Sequence, residues 1–189
     1  MKLSVLPMLG AQQRQIAGMI SLLSDIIKFE RISIKEPIKT VPPNLFDQAR
    51  MQYKARELLD FISCFEKDAD EVMLGIVEPD MYYPGLNFVF GLARPGEDAI
   101  ISLCRLRQEF YGMEADTDLF TMRAVKEAVH ELGHVLALGH CNDKSCVMHF
   151  SNSIADTDGK DSNFCTSCSK RLGRMIYMNR DSVDEGKGR

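Results

Sequence analysis

The sequence predicts an α/β (α+β) domain: a twisted mixed β-sheet packed with helices, one long helix bearing the chemistry, and a small C-terminal subdomain. Three observations carry this expectation. Short apolar runs alternate with helical patterns through the first hundred residues. One helical pattern then carries His130 and His134. A polar stretch with four of the six cysteines follows it.

The elements follow in order. Residues 2–6 read as an apolar strand, and residues 12–29 as a helix with Ile16, Met19, Ile20, Leu23, Ile26 and Ile27 at helical spacing. Residues 31–36 read as a second strand that Pro37 ends. Pro42-Pro43-Asn44 marks a turn into a helix over residues 45–64. Residues 72–77 form a short strand, broken by Glu78-Pro79-Asp80. Residues 86–93 form another, closed by Arg94-Pro95-Gly96, and residues 99–106 a further one. A helix starts at Asp116 or Thr117, either of which can cap it, and runs through residues 125–138. Residues 139–163 read as irregular and 164–178 as helical. The charged stretch 180–189 lacks a hydrophobic pattern and is expected to be a disordered tail.

Composition removes several function classes. With 45% hydrophobic and 26% charged residues, the profile is that of a soluble globular chain. A net charge of −4 gives no field for nucleic acid. No apolar run approaches the roughly 20 residues that span a bilayer. Pro7 interrupts the first apolar run, and Gln12-Gln13-Arg14 is no cleavage region, so a first strand is preferred over a signal peptide. The chain is therefore expected in the cytoplasm, with no nucleic-acid or membrane partner. At 189 residues it fits one domain, taken as 1–178, divided into 1–140 and 141–178, with 179–189 as tail. It is expected to be a monomer.

The chemistry concentrates in His130-Glu131-Leu132-Gly133-His134 and His140. Residues four apart on a helix stack about 6 Å apart along the axis, so two imidazoles can grip one ion. Glu131 is offset by about 100° and can reach a metal-bound water. Zinc accepts such nitrogen ligands in a tetrahedron and keeps one position for water. It lowers that water's pKa, and Glu131 would take the proton as general base in peptide-bond hydrolysis. The bland alternative, a helix that happens to carry histidines, would need other polar partners for buried rings.

Cys141-x4-Cys146 and Cys165-x2-Cys168 are two short ligand pairs suited to one closed, structural four-cysteine zinc. Free thiols or two local disulfides are the alternatives, and a reducing compartment weakens the second. Cys64 and Cys104, in apolar surroundings, read as small core residues. His140 and Cys141 are adjacent yet serve different ions, which is possible because neighbouring side chains in an extended segment point apart. The expected cofactors are thus two zinc ions per chain, one catalytic and one structural.

These residues together resemble the archaemetzincins, a branch of the metzincin metallopeptidases. The likeness rests on His130, Glu131, His134 and His140, on Cys141 directly after, on Cys146-Val147-Met148 and on Cys165-Thr166-Ser167-Cys168. It extends more weakly to Leu86-Asn87-Phe88-Val89-Phe90-Gly91 and Ala99-Ile100. The resemblance implies a catalytic zinc on the three histidines, Glu131 as general base, Met148 in a turn beneath the ligands, and an antiparallel edge strand near residues 86–93 bordering a cleft. A peptide or unfolded protein could add there as a strand.

Two departures bear on the site. The metzincin pattern places glycine three residues before the third histidine, and this chain has Ala137. Either Ala137 takes a left-handed conformation at about 1 kcal/mol, or the turn shifts to Gly139. Phe150 stands where some metzincins carry a tyrosine, so no hydroxyl assists there, and His149 reads as a loop histidine. The expected activity is a zinc-dependent metallopeptidase, an aminopeptidase or endopeptidase. The alternative is a non-catalytic zinc-stabilised module that binds peptide or protein.

Overall fold

A computed structural model describes residues 1–173. Its centre is a five-stranded sheet in the order β2-β1-β5-β8-β7. These are β1 (Lys2–Met8), β2 (Ile32–Ile34), β5 (Glu71–Val77), β7 (Gly91–Ala93) and β8 (Ala99–Ser102). β1 pairs in parallel with β2 and β5, and β5 with β8, while β7 closes the edge antiparallel to β8. A second sheet joins β3 (Phe46–Asp47), β4 (Gln52–Lys54) and β6 (Met81–Tyr82).

The central strand β5 is buried along its whole length. That fits its unbroken apolar run, since a strand covered on both faces needs no polar alternation. Val72, Leu74 and Ile76 face the core shared with α1 (Gln13–Ile26) and α3 (Thr117–Val135). Met73 and Val77 face Leu58, Leu59 and Ile62 of α2 (Ala55–Ser63). Helices therefore cover both faces. α3 lies across the end of the sheet carrying β8 and β7, and Asp116 caps it by accepting from the Leu119 N–H at 2.9 Å.

Several expected elements are shorter or different. The helix expected over 45–64 is confined to Ala55–Ser63. Ahead of it, Pro43–Leu45 makes a single 3₁₀ turn, and β3 and β4 form a hairpin in which the Asp47 carboxylate accepts from the N–H groups of Ala49 and Arg50. Of the expected strand 86–93, only Gly91–Ala93 has strand conformation in the sheet, and β8 stops at Ser102 before a 3₁₀ turn over Cys104–Leu106. The stretch expected to be irregular contains α4 (Ile154–Gly159). Cys64, expected in the core, is exposed beyond the end of α2, and Cys104 is half-buried. The final helix begins at residue 166 and is described to 173, so the expected end at 178 and the tail lie outside the described residues. Among the described residues, no helix is long and apolar enough to cross a membrane.

Candidate active site and metal centres

His130 and His134 project from the last two turns of α3, and the sequence beyond them decides how they are held. The His130 Nδ1 lies 2.8 Å from the Val147 carbonyl oxygen, and the His134 Nδ1 lies 2.8 Å from that of Leu138. A carbonyl can only accept, so each Nδ1 carries the proton and each Nε2 keeps its lone pair. The two Nε2 atoms are 3.1 Å apart with no proton to share. Two lone pairs at that distance repel, and a cation between them removes the repulsion. A tetrahedral zinc with nitrogen ligands at about 2.0–2.1 Å sets them about 3.3 Å apart, which the observed spacing matches.

His140 reaches the same place from outside the helix. Its ring centroid is 4.8 Å from that of His134 and 5.4 Å from that of His130, and one ring nitrogen from each of the three lies within 4.8 Å of the others. A continued helix would turn residue 140 about 240° away from His134. The helix instead stops at Val135, and Ala137 takes φ +61°. The Ala137 N–H donates to the His134 carbonyl and the Leu138 N–H to the Gly133 carbonyl, both at 2.9 Å. That is a Schellman stop with alanine at its left-handed position. The turn thus falls at Ala137, not at Gly139, and it also presents the Leu138 carbonyl to His134.

Electrostatics favour neutral imidazoles. Burial pushes the His130 pKa well below its usual value, with the Lys160 ammonium adding to the effect. His134 and His140 are lowered as well, again chiefly by burial. Neutral imidazole is the form that binds a metal. Burial likewise raises the Glu131 carboxyl well above the ordinary range, and Glu127 one turn earlier raises it further. Among the described residues, the Glu131 side chain has no hydrogen-bond partner, and it faces Gly91 at the start of β7.

Beneath the helix, Met148 is fully buried, and a Cβ on Gly133 would collide with its sulfur. Phe150 stands 4.9 Å from the His140 ring, half-exposed and without a hydroxyl. His149 turns its Nδ1 to the Cys141 carbonyl at 2.9 Å, apart from the three-histidine group.

The four cysteines converge as well. Their sulfurs lie within 4.8 Å of one another, with Cys141 and Cys165 at 3.8 Å. Zinc bound by thiolates at about 2.3 Å places sulfurs about 3.8 Å apart, so this donor set also fits. The backbone N–H of Cys165 donates to the Cys146 sulfur at 3.3 Å. A backbone donor at Cys168 draws the Cys165 thiol down to about 7, while burial raises that of Cys146.

Sequence reasoning did not single out the buried pair below the site. The Lys160 ammonium lies 3.1 Å from the Glu127 carboxylate, both almost wholly enclosed, and Thr157 donates to the same oxygen at 3.0 Å. Glu127 had a signal, standing four residues before Glu131 on one helix face. Lys160, in a polar stretch, had none.

A three-histidine cluster with an adjacent buried glutamate, at the end of a helix under an edge strand, defines a metallopeptidase. The model of peptidase family M54 matches residues 20–174. The archaemetzincin of Methanopyrus kandleri is 41% identical over 169 residues, covering 84% of this chain and 93% of its own. That of Pyrococcus horikoshii is 53% identical over 133 residues, covering 69% of this chain and 71% of its own. The crystal structure of the Methanopyrus kandleri archaemetzincin superposes with a TM-score of 0.80 at 36% identity, over 94% of this chain and 96% of that one. A zinc-dependent peptidase from Methanocorpusculum labreanum gives 0.82 at 30% identity, over 90% and 99%. The chain belongs to peptidase family M54, and is a zinc metallopeptidase.

Proposed function

We propose that the chain hydrolyses peptide bonds with Glu131 as general base, beside a zinc held by His130, His134 and His140. Cys141, Cys146, Cys165 and Cys168 hold a second, structural zinc that fixes the segment from residue 141 onward. The observation that carries the reading is the common aim of three imidazoles, two of them locked by backbone carbonyls, next to a buried carboxylate.

Bound zinc supplies Lewis acidity, polarising the scissile carbonyl and making water easier to deprotonate. The chain's own residues do the rest. Glu131 takes a proton from the attacking water and passes it to the leaving amide nitrogen. Its buried setting suits that task, because a carboxyl raised by desolvation accepts a proton readily and holds it until transfer.

Peptide or unfolded protein is the substrate class, and β7 supports that choice. The Ser102 N–H donates to the Phe90 carbonyl at 2.8 Å and the Arg94 N–H to the Asp98 carbonyl at 3.0 Å. In an antiparallel ladder this alternation turns the backbone groups of Gly91 and Ala93 away from β8. An extended peptide can pair with them as an added strand.

The test combines metal content with turnover. Native protein should carry two zinc ions per chain, falling to one in the His130→Ala/His134→Ala double variant. Glu131→Gln should retain both ions and lose cleavage of a peptide library by about 100-fold or more. Turnover in Glu131→Gln equal to the parent's would refute the assignment.

A further inference from the structure

We propose that Gly91 is a positioning residue for the general base: its missing side chain leaves the space in which the Glu131 carboxylate stands. The inference rests on the reading of Glu131 given above. Gly91 opens β7 on the antiparallel edge of the sheet, where its backbone is an ordinary strand backbone and not left-handed. Glycine weakens a strand, since it adds no packing and costs chain entropy. Nothing in the backbone of this position asks for it.

The neighbouring helix supplies the reason. A Cβ built on Gly91 would lie 2.5 Å from the Glu131 Cγ and 2.6 Å from its Oε1. All three nearest atoms to that Cβ belong to Glu131, so the excluded volume is that of one side chain. Two residues along the same face of β7, Ala93 packs its methyl into the core that includes α3. Side chains on this face therefore run toward α3, and at position 91 one would meet the carboxylate. With no side-chain hydrogen bond among the described residues, Glu131 takes its position from this contact instead.

The same geometry separates two effects of a substitution. The obstructing atoms are Cγ, Cδ and Oε1 of one side chain, which move together on rotation about Cα–Cβ, so Gly91→Ala should fold, with Glu131 rotating aside. None of the three atoms nearest the added methyl belongs to the histidine or cysteine clusters.

The experiment compares Gly91→Ala with the parent enzyme. Turnover should fall about 100-fold, the size expected of a displaced general base, with KM changed less than about threefold. Zinc content per chain and the thermal midpoint should stay at parent values. In the Glu131→Ala background, whose side chain ends at Cβ and vacates the contested volume, adding Gly91→Ala should change the residual turnover less than about threefold, a non-additivity that marks direct contact. In the Glu131→Gln background, peptide affinity measured by calorimetry should be unchanged by Gly91→Ala.

Three results would overturn the proposal. Turnover of Gly91→Ala close to the parent's would show that the carboxylate is not displaced. A roughly tenfold loss of peptide affinity in the Glu131→Gln background would place the role of Gly91 in strand pairing with substrate. Misfolding that Glu131→Ala does not relieve would make the glycine structural. Full activity in Glu131→Gln alone would instead sink the general-base reading, a distinct outcome.

Discussion

Replacing Ala137 with glycine should make the protein more stable, although glycine usually does the reverse. Ala137 holds φ +61° at the position where α3 stops. An L-residue there pays about 1–2 kcal/mol for the approach of its Cβ to the following carbonyl oxygen. Glycine avoids that cost but gives up about 0.4–1 kcal/mol through the greater freedom of its unfolded chain. At the middle of those ranges the net gain is about 0.8 kcal/mol. For a chain of 189 residues this raises the thermal midpoint by about 2–3 °C, using about 2–4 °C per kcal/mol. Ala137→Val should fall well below the parent, because a β-branched residue tolerates the left-handed region least. Calorimetric melts of the three zinc-loaded proteins at one concentration provide the comparison. A midpoint for Ala137→Gly lowered by the equivalent of about 1 kcal/mol, the cost of glycine inside a helix, would refute the reasoning. Residue 137 would then be helical, and His140 could not turn back to join His130 and His134.

Gly133→Ala should destabilise by about 1–2 kcal/mol, because overpacking against Met148 and Phe164 outweighs the usual helix gain of alanine; a higher urea midpoint would show that the methionine does not press on the helix. Lys160→Met should cost about 3–5 kcal/mol by leaving the buried Glu127 carboxylate without its ammonium partner and with only the Thr157 hydroxyl, and the Lys160→Met/Glu127→Leu double variant should recover most of it in urea titrations. Additive losses in that pair would argue against their contact. The Glu71 carboxyl is held down to about 2, first by the Ser4 hydroxyl and then by the Asp68 N–H, with Lys35 contributing. A lowered folded-state pKa means this stabilisation is fully present above the unfolded value of 4.5 and is lost as pH falls through about 2. Glu71→Gln should therefore flatten the stability profile between those limits, and an unchanged slope in denaturant titrations from pH 5 to 2 would contradict it.

The parts of the fold set by local pattern were readable from the sequence. β1 and β5 follow from apolar runs, the start of α3 from Asp116, and the closeness of the His130 and His134 rings from a spacing of four. What escaped was decided by competition or by distance. Residues 46–54 carry enough apolar spacing to suggest a helix, yet Asp47 ties its carboxylate to the Ala49 and Arg50 N–H groups and Met51 turns to φ 55°. A side chain that satisfies nearby backbone donors removes the reason for helix hydrogen bonds. α4 had a usable signal in Ser153 and Asp156, which form a reciprocal capping box, hidden within a polar stretch. The place of Lys160 against Glu127 has no local signal, because 33 residues of chain separate the two (160 − 127 = 33).

The two ligand clusters are better understood as one construction than as neighbours. The helix supplies His130 and His134, but their orientation comes from carbonyls at Val147 and Leu138, which lie beyond the helix. Val147 sits between Cys146 and Met148, its own N–H bound to the Asn163 carbonyl at 3.0 Å. The Cys141 N–H donates to the Met148 carbonyl at 2.9 Å, and His149 returns a bond to the Cys141 carbonyl. The contact that aims His130 thus ends on a short strap over residues 141–148 with few core residues, of which Cys146, Val147 and Met148 are the buried ones, whereas that of His134 ends in the turn just before it. Such a strap cannot hold a carbonyl in place by apolar burial alone. The proposed four-thiolate centre joining Cys141 and Cys146 to Cys165 and Cys168 would close it at both ends, and so stiffen the Val147 carbonyl that keeps the His130 lone pair aimed. On that proposal the cysteine cluster would act on catalysis without touching substrate, through the geometry of a backbone oxygen that a fixed strap presents.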